Sequence, residues 1–106
     1  MLQQITPLEL KARLAEAQPP VILDVREAPE LAVARMPGAL EIPMNDVPQR
    51  FAEVPFDREV VVVCHHGMRS AQVASYLADR GHPRMLNLAG GIDAWALQVD
   101  PGLRRY

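Results

Sequence analysis

The chain has 106 residues, of which 49% are hydrophobic, with one cysteine, three histidines and a formal net charge of −2. This length suits one domain over residues 1–106 that buries a core without metal, and one cysteine excludes an internal disulfide. The slight acidity argues against a nucleic-acid partner, and the absence of a leader segment or of about 18 consecutive apolar residues argues against a membrane. We therefore expect a globular protein of the reducing cytoplasm.

The first half of the chain is predicted to alternate helices with short strands. Thr6 and Glu9 flank a proline at the first helical position, and this capping box begins a helix that reaches about Ala17. Val21 to Val25 form an apolar run typical of a buried strand. Three further elements follow: a short helix from Pro29 to Ala34, a short strand from Ala39 to Ile42, and a helix within Met44 to Val54 whose apolar face is Val47, Phe51 and Val54.

The second half contains the strand predicted to lie at the centre of the sheet. Val60 to Val63 are four consecutive β-branched residues, a pattern typical of a strand buried on both faces. A loop from Cys64 to Arg69 follows, and Ala71 to Ala78 continue as a helix that ends at Gly81. The remaining elements are a strand from Met85 to Leu88, a glycine pair, a helix from Ile92 to Gln98 and an irregular tail from Pro101 to Tyr106. Trp95 is predicted to be a core anchor whose indole N–H finds a partner.

This alternation predicts an α/β protein. We expect three layers, α/β/α, around a mostly parallel sheet of about five short strands. Ligands bind such sheets at the carboxyl ends of the strands, and both Cys64 and Asp24 are predicted to lie at that edge.

Cys64 is the candidate nucleophile. A free thiol has a pKa of about 8.5, and backbone N–H groups, a helix amino terminus and the Arg69 guanidinium would each favour the thiolate. The loop from Cys64 to Arg69 can form an anion-binding nest, with Gly67 allowing a positive φ. A lone cysteine is often a buried small hydrophobe, but here two histidines, a glycine and an arginine follow it directly. We therefore favour a functional thiol.

The residues from Cys64 to Ser70, Cys-His-His-Gly-Met-Arg-Ser, resemble the active-site loop of the rhodanese-like sulfurtransferases. Three other segments resemble motifs of that family in the expected order: Asp24 to Glu27, Pro37 to Pro43 and Gly90 to Trp95. The resemblance implies a rhodanese-like fold with Cys64 as the catalytic residue and Asp24 and Arg26 as possible supporting residues. It also implies a substrate- and persulfide-binding loop formed by His65, His66, Gly67, Met68, Arg69 and Ser70.

Sulfur transfer in two steps is the leading hypothesis. The Cys64 thiolate would take the outer sulfur of a small anionic donor such as thiosulfate, and cyanide, a cellular thiol or a thiol-bearing protein would then remove it from the persulfide. No cofactor is expected. Because the chain has no second cysteine, the acceptor must be external.

Three alternatives compete with sulfur transfer. Cys64, His65 and His66 are adjacent and point in different directions, whereas zinc ligands are usually separated by two to four residues, so no metal is expected. Phosphatases and arsenate reductases use a related loop with five residues between cysteine and arginine, and here only four separate Cys64 from Arg69. A sulfur carrier or redox-sensing binding module without small-molecule turnover stays open, since an exposed low-pKa thiol is also easily oxidised.

Asp24 and Arg26 also have two interpretations. They could act as a catalytic acid and an anion binder. We favour hydrogen bonds that hold the neighbouring loops, because charged residues at strand ends usually pair with backbone or with each other.

Overall fold

The computed structural model describes residues 2–106, so Met1, the first residue of the predicted domain, lies outside the described residues. Strands and helices alternate along the chain, with two additional 3-10 turns at Met44–Asp46 and Phe51–Glu53. The strands are β1 (Gln3–Ile5), β2 (Val21–Asp24), β3 (Leu40–Glu41), β4 (Val60–Val63) and β5 (Met85–Leu88). The helices are α1 (Pro7–Leu14), α2 (Ala28–Val33), α3 (Val47–Arg50), α4 (Met68–Asp79) and α5 (Gly91–Gln98).

The five strands form one sheet in the order β1-β5-β4-β2-β3, and every pairing is parallel. β4 is therefore the central strand, as predicted. Asp24 pairs with Val63 in the register between β2 and β4, so these two strands end level with each other. The carboxyl edge of the sheet consequently places the residues after β2 beside those after β4.

The four valines of β4 explain the three layers. All four are fully buried, and their side chains alternate between the two faces of the sheet. Val60 and Val62 belong to one apolar cluster with residues of α3 and α4, and Val61 and Val63 belong to another with residues of α1 and α5. The predicted α/β/α fold class is confirmed. Among residues 2–106, the structure has no helix with the length and apolarity to cross a membrane.

β1 was not predicted from the sequence, and α1 ends earlier than predicted. β1 lies at an edge of the sheet, and of its three residues only Ile5 is buried, so its hydrophobic signal is weak. The predicted capping box is present, with reciprocal hydrogen bonds between Thr6 and Glu9 of 2.9 and 3.2 Å. However, α1 ends at Leu14, and Ala17, where the helix was predicted to end, is exposed.

A helix is present within Met44 to Val54, but it is the short α3 (Val47–Arg50) and does not extend through Phe51 to Val54 as predicted. This segment consists of the two 3-10 turns with the four-residue α3 between them. Arg50 has φ −122°, which interrupts the helical backbone before Phe51. Val47 and Val54 are nevertheless buried, so the apolar residues reach the core through a bent segment and not along one helix.

Trp95 is buried against the sheet as predicted, but its indole N–H has no hydrogen-bond partner among the described residues. The expected partner is therefore not found among residues 2–106. The indole packs in the apolar cluster that contains Ile5, Leu10 and Ile92, so it anchors the core by apolar burial.

Candidate active site

Cys64 follows β4 directly at the carboxyl edge of the sheet, and its side chain is only 1% exposed. Two groups donate hydrogen bonds to its Sγ: the backbone N–H of Gly67 at 3.1 Å and the hydroxyl of Ser70 at 3.3 Å. Gly67 has φ +104°, the left-handed conformation predicted for it, and this turn points its N–H back at the sulfur. The loop thus surrounds the thiol with hydrogen-bond donors.

These donors determine the ionisation of the thiol. Burial by itself raises the pKa of Cys64, but the Ser70 hydroxyl and the N–H groups of Ser70, Gly67 and His66 more than offset it. The pKa of Cys64 is therefore lowered from its usual value. A larger fraction of the sulfur is thiolate than in a free cysteine.

The loop is shorter than the sequence analysis predicted. α4 begins at Met68, with Gly67 as its N-cap, so Arg69 and Ser70 lie in the first turn of the helix. This position leaves the backbone N–H of Ser70 free to favour a charge on the sulfur, because the first N–H groups of a helix have no partner within it. The amino terminus of a twelve-residue helix also favours a negative charge at the sulfur.

Arg69 is bound to a partner that the sequence analysis missed. Its two terminal nitrogens donate to the two carboxylate oxygens of Glu30 on α2, at 2.6 and 2.8 Å. This bidentate pair raises the pKa of Arg69 and lowers that of Glu30 to about 2. Arg69 was expected to favour the thiolate of Cys64, and the charges of Arg69 and Cys64 do attract each other. The strongest interaction of Arg69 is nevertheless with Glu30, and the hydrogen bonds to Sγ lower the thiol pKa.

The remaining loop residues lie at the mouth of the site. Met68 is largely exposed, and the ring of His65 stacks on that of His66 with 3.9 Å between centroids. Donor atoms of His65, His66 and Asp93 lie within 4.8 Å of one another, and Cys64 is not part of this group. Asp93 is already bonded to Arg105 at 2.9 Å.

Asp24 and Arg26 form a buried ion pair beside the loop. Arg26 donates to both carboxylate oxygens of Asp24, at 2.7 to 3.1 Å, and both side chains are inaccessible to solvent. Burial alone would lower the pKa of Arg26, but the bonds to Asp24 keep it raised. Arg26 also donates to the carbonyls of Ala34 at 2.8 Å and Glu30 at 3.3 Å. These contacts have the form expected of a pair that holds α2 in place, and none of the hydrogen bonds of either side chain goes to Cys64.

Asn87 is a second residue that the sequence analysis missed. It is buried on β5, and its Nδ2 donates to the Gly67 carbonyl at 3.1 Å and to Gln4 at 3.0 Å, so it ties the loop to two strands. The sequence contained a pattern that could have revealed this role, since Asn87 is the one polar residue in the strand from Met85 to Leu88. A buried polar side chain is costly unless it is bonded, so its presence points to a role in holding Gly67.

The start of α5 holds the other end of the loop. The N–H groups of Ile92 and Asp93 donate to the carbonyls of Cys64 at 2.9 Å and His65 at 3.2 Å. This close approach needs Gly91, because a Cβ there would lie 2.4 Å from the His65 oxygen and 2.5 Å from that of Cys64. The predicted glycine pair thus serves packing as well as a turn.

Comparison with known proteins identifies the family. The family model of the rhodanese-like domain matches residues 6–98. This segment includes β4, α4 and the Cys64 loop between them. The chain belongs to the rhodanese-like domain family. A sulfurtransferase of Allochromatium vinosum is 43% identical over 96 residues, covering 91% of this chain and 90% of that protein.

Two further relatives support the assignment. The thiosulfate sulfurtransferase GlpE of Actinobacillus succinogenes is 30% identical over 92 residues, covering 87% of this chain and 82% of that protein. The crystal structure of a rhodanese-like domain protein from Staphylococcus aureus has a TM-score of 0.86 and 36% identity, covering 99% of both chains. These likenesses support sulfur transfer as the general activity of this rhodanese-like domain.

One residue outside the matched segment, Tyr106, contacts the site. Tyr106 was predicted to belong to an irregular tail, and residues 101–106 indeed contain neither helix nor strand. Tyr106 nevertheless contacts His65, Arg26 and Glu30. No local sequence pattern could have revealed this, because the contacts join residues 41 to 80 positions apart.

Proposed function

We propose that this rhodanese-like domain is a sulfurtransferase that moves sulfur from a small anionic donor, such as thiosulfate, to an external thiophile through a persulfide on Cys64. The observation that carries the proposal is the donor set around Sγ, formed by the Gly67 N–H and the Ser70 hydroxyl. These groups favour the thiolate that must attack, and the same loop amides can bind the negative charge of a persulfide. The acceptor would be cyanide in an assay, and in a reducing cytoplasm a thiol or a thiol-bearing protein.

The first step forms the persulfide. The Cys64 thiolate attacks the outer sulfur of thiosulfate, a sulfur–sulfur bond forms to the enzyme, and the sulfur–sulfur bond of the donor breaks. Sulfite leaves with the bonding electron pair, and the negative charge moves to the outer sulfur of Cys64. No proton is transferred in this step, because it starts from the thiolate form of Cys64.

The second step regenerates the thiolate. Cyanide attacks the outer sulfur of the persulfide and leaves as thiocyanate, and the electron pair returns to Sγ of Cys64. A thiolate acceptor would react in the same way and leave as its own persulfide.

The pairing of Arg69 with Glu30 affects the binding of the donor. Because the Glu30 carboxylate already binds the Arg69 guanidinium, an anionic donor must compete with that carboxylate for it.

One observation favours the alternative of a sulfur carrier or redox-sensing module. Cys64 is 1% exposed, which would suit a thiol that reacts only when a partner protein opens the loop. Steady-state kinetics separate the two functions. A sulfurtransferase forms thiocyanate with parallel double-reciprocal plots when thiosulfate and cyanide are varied, as a substituted-enzyme mechanism requires. A carrier gives no turnover with these small molecules.

The nucleophile is tested by Cys64→Ser. This nearly isosteric change should abolish thiocyanate formation and leave the thermal unfolding transition in place, because the hydroxyl fits the space of the thiol but is not ionised at neutral pH. Turnover retained by the Cys64→Ser protein would assign the nucleophile to another group and would contradict the proposal.

A further inference from the structure

Tyr106 packs on one end of the Cys64 loop. Its ring stacks on the imidazole of His65 with 3.9 Å between centroids and 11° between the planes. The Nε2 of His65 lies 2.8 Å from the backbone oxygen of Tyr106, at hydrogen-bond distance. The stacking and the hydrogen bond together hold His65, which follows Cys64 in the loop, against Tyr106.

The hydroxyl of Tyr106 reaches the other end of the loop. It donates to Glu30 at 2.8 Å, onto the same carboxylate oxygen that binds Arg69, and it accepts from Arg26 at 3.1 Å. Burial raises the pKa of Tyr106, so the hydroxyl keeps the proton that it donates. Tyr106 therefore spans the loop, with His65 on one side and the pair of Glu30 and Arg69 on the other.

Arg105 anchors the same segment from outside. It donates to Asp93 at 2.9 and 3.3 Å, and the backbone N–H of Asp93 is one of the two that hold the loop carbonyls. The segment has no helix or strand, Tyr106 is 41% exposed, and exposed ion pairs contribute little to stability. Such a segment opens more easily than the core elements beneath it. We call residues 103–106 the clasp.

We propose that the clasp is a size filter on the active site and that Tyr106 is a specificity-determining residue. With the clasp closed, access to the buried sulfur of Cys64 is limited to a thiophile as small as cyanide. A bulky thiol, such as glutathione or a thiol on another protein, has to displace Tyr106 first. The inference deepens the proposed sulfur transfer and rests on it for the identity of the acceptor.

Alkylation of Cys64 tests the filter without requiring sulfur transfer. Because the chain has one cysteine, every thiol reagent reports on that residue alone. Rates are measured with iodoacetamide, a small reagent, and with fluorescein maleimide, a bulky one. The variants are Tyr106→Ala, which removes the ring, and Tyr106→Phe, which keeps the stack on His65 but loses the hydroxyl bonds. Arg104→Ala is the matched control, since Arg104 makes no side-chain hydrogen bond among the described residues and its loss changes the charge of the clasp.

In Tyr106→Ala, the rate with the bulky reagent relative to the small one should rise about tenfold. Tyr106→Phe should give a smaller rise, and Arg104→Ala should match the wild type. An unchanged ratio in Tyr106→Ala would overturn the proposal. So would equal acceleration of both reagents, which would mean that Tyr106 acts on the thiol or on loop order and not on size. An equal rise in the Arg104→Ala ratio would overturn it as well.

A kinetic comparison then links the filter to the acceptor. Tyr106→Ala should increase kcat/KM for glutathione about tenfold over that for cyanide. Equal effects on the two acceptors would contradict the size filter. If the wild type forms no persulfide with thiosulfate, the proposed sulfur transfer fails, and the alkylation ratios still decide whether the clasp screens the thiol by size.

Discussion

The position of Gly91 gives a prediction whose size follows from the structure. Gly91 has φ +63°, and a Cβ there would lie 2.4 Å from the carbonyl oxygen of His65 and 2.5 Å from that of Cys64. Both neighbours are backbone atoms of the Cys64 loop and cannot rotate away. In Gly91→Ala the loop and the start of α5 must therefore separate, which would weaken the two hydrogen bonds between them.

The chain offers a matched control for this change. Gly38 has a similar φ of +65°, but nothing lies within 4 Å of the position of its Cβ. Gly38→Ala should cost only the left-handed backbone strain, about 1–2 kcal/mol. Gly91→Ala pays the same strain and in addition an overpacking cost of about 1–3 kcal/mol. The total is roughly 2–5 kcal/mol, against a typical domain stability of about 5–15 kcal/mol.

Urea unfolding of the two variants and the wild type measures this difference. We expect a lower free energy of unfolding for Gly91→Ala than for Gly38→Ala, and slower thiocyanate formation only in Gly91→Ala, because only that change displaces the loop. Equal destabilisation by the two substitutions would refute the argument that close approach to the Cys64 loop requires Gly91.

Three further predictions concern the groups around the thiol. Ser70→Ala removes a donor to Sγ and should raise the pKa of Cys64, so the rate of iodoacetamide alkylation should rise at a higher pH than in the wild type; an unchanged profile would contradict this role. The pKa of Glu30 is depressed to about 2, so its contribution to stability is present above about pH 4.3 and is lost as pH falls towards 2. Glu30→Gln should lack that loss in a pH series of urea midpoints, and parallel curves for the two proteins would argue against it. Arg69→Ala leaves the Glu30 carboxylate unpaired near the site, so the KM for thiosulfate should rise more than kcat falls, and an unaltered KM would oppose that reasoning.

The centre of the fold and the position of Cys64 at its edge were predictable because the sequence patterns that indicate them are local. Four consecutive valines specify a strand buried on both faces, and the polar run after Cys64 is unusual beside such a strand. The capping box of Thr6 and Glu9 works in the same way, since both partners lie in one turn of helix. Where the signal was weak, as in the edge strand from Gln3 to Ile5, the element was missed.

The remaining parts of the site depend on contacts between distant segments. Glu30 meets Arg69 across 39 residues, and Asn87 meets Gly67 across 20. A sequence shows that an arginine or a buried asparagine needs a partner, but not which of several candidates the fold brings to it. The pairing of Arg69 with Glu30 was missed for this reason, because the carboxylate that holds the guanidinium comes from the distant helix α2.

The central claim is that Cys64 carries sulfur between donor and acceptor, and intact mass measurement tests it most directly. The intact mass of the protein is measured by mass spectrometry after incubation with thiosulfate and again after addition of cyanide. The Cys64→Ser protein is treated in parallel. We predict a gain of about one sulfur atom that cyanide removes and that Cys64→Ser does not acquire. A folded wild-type protein that gains no mass, or a Cys64→Ser protein that gains the same mass, would contradict it.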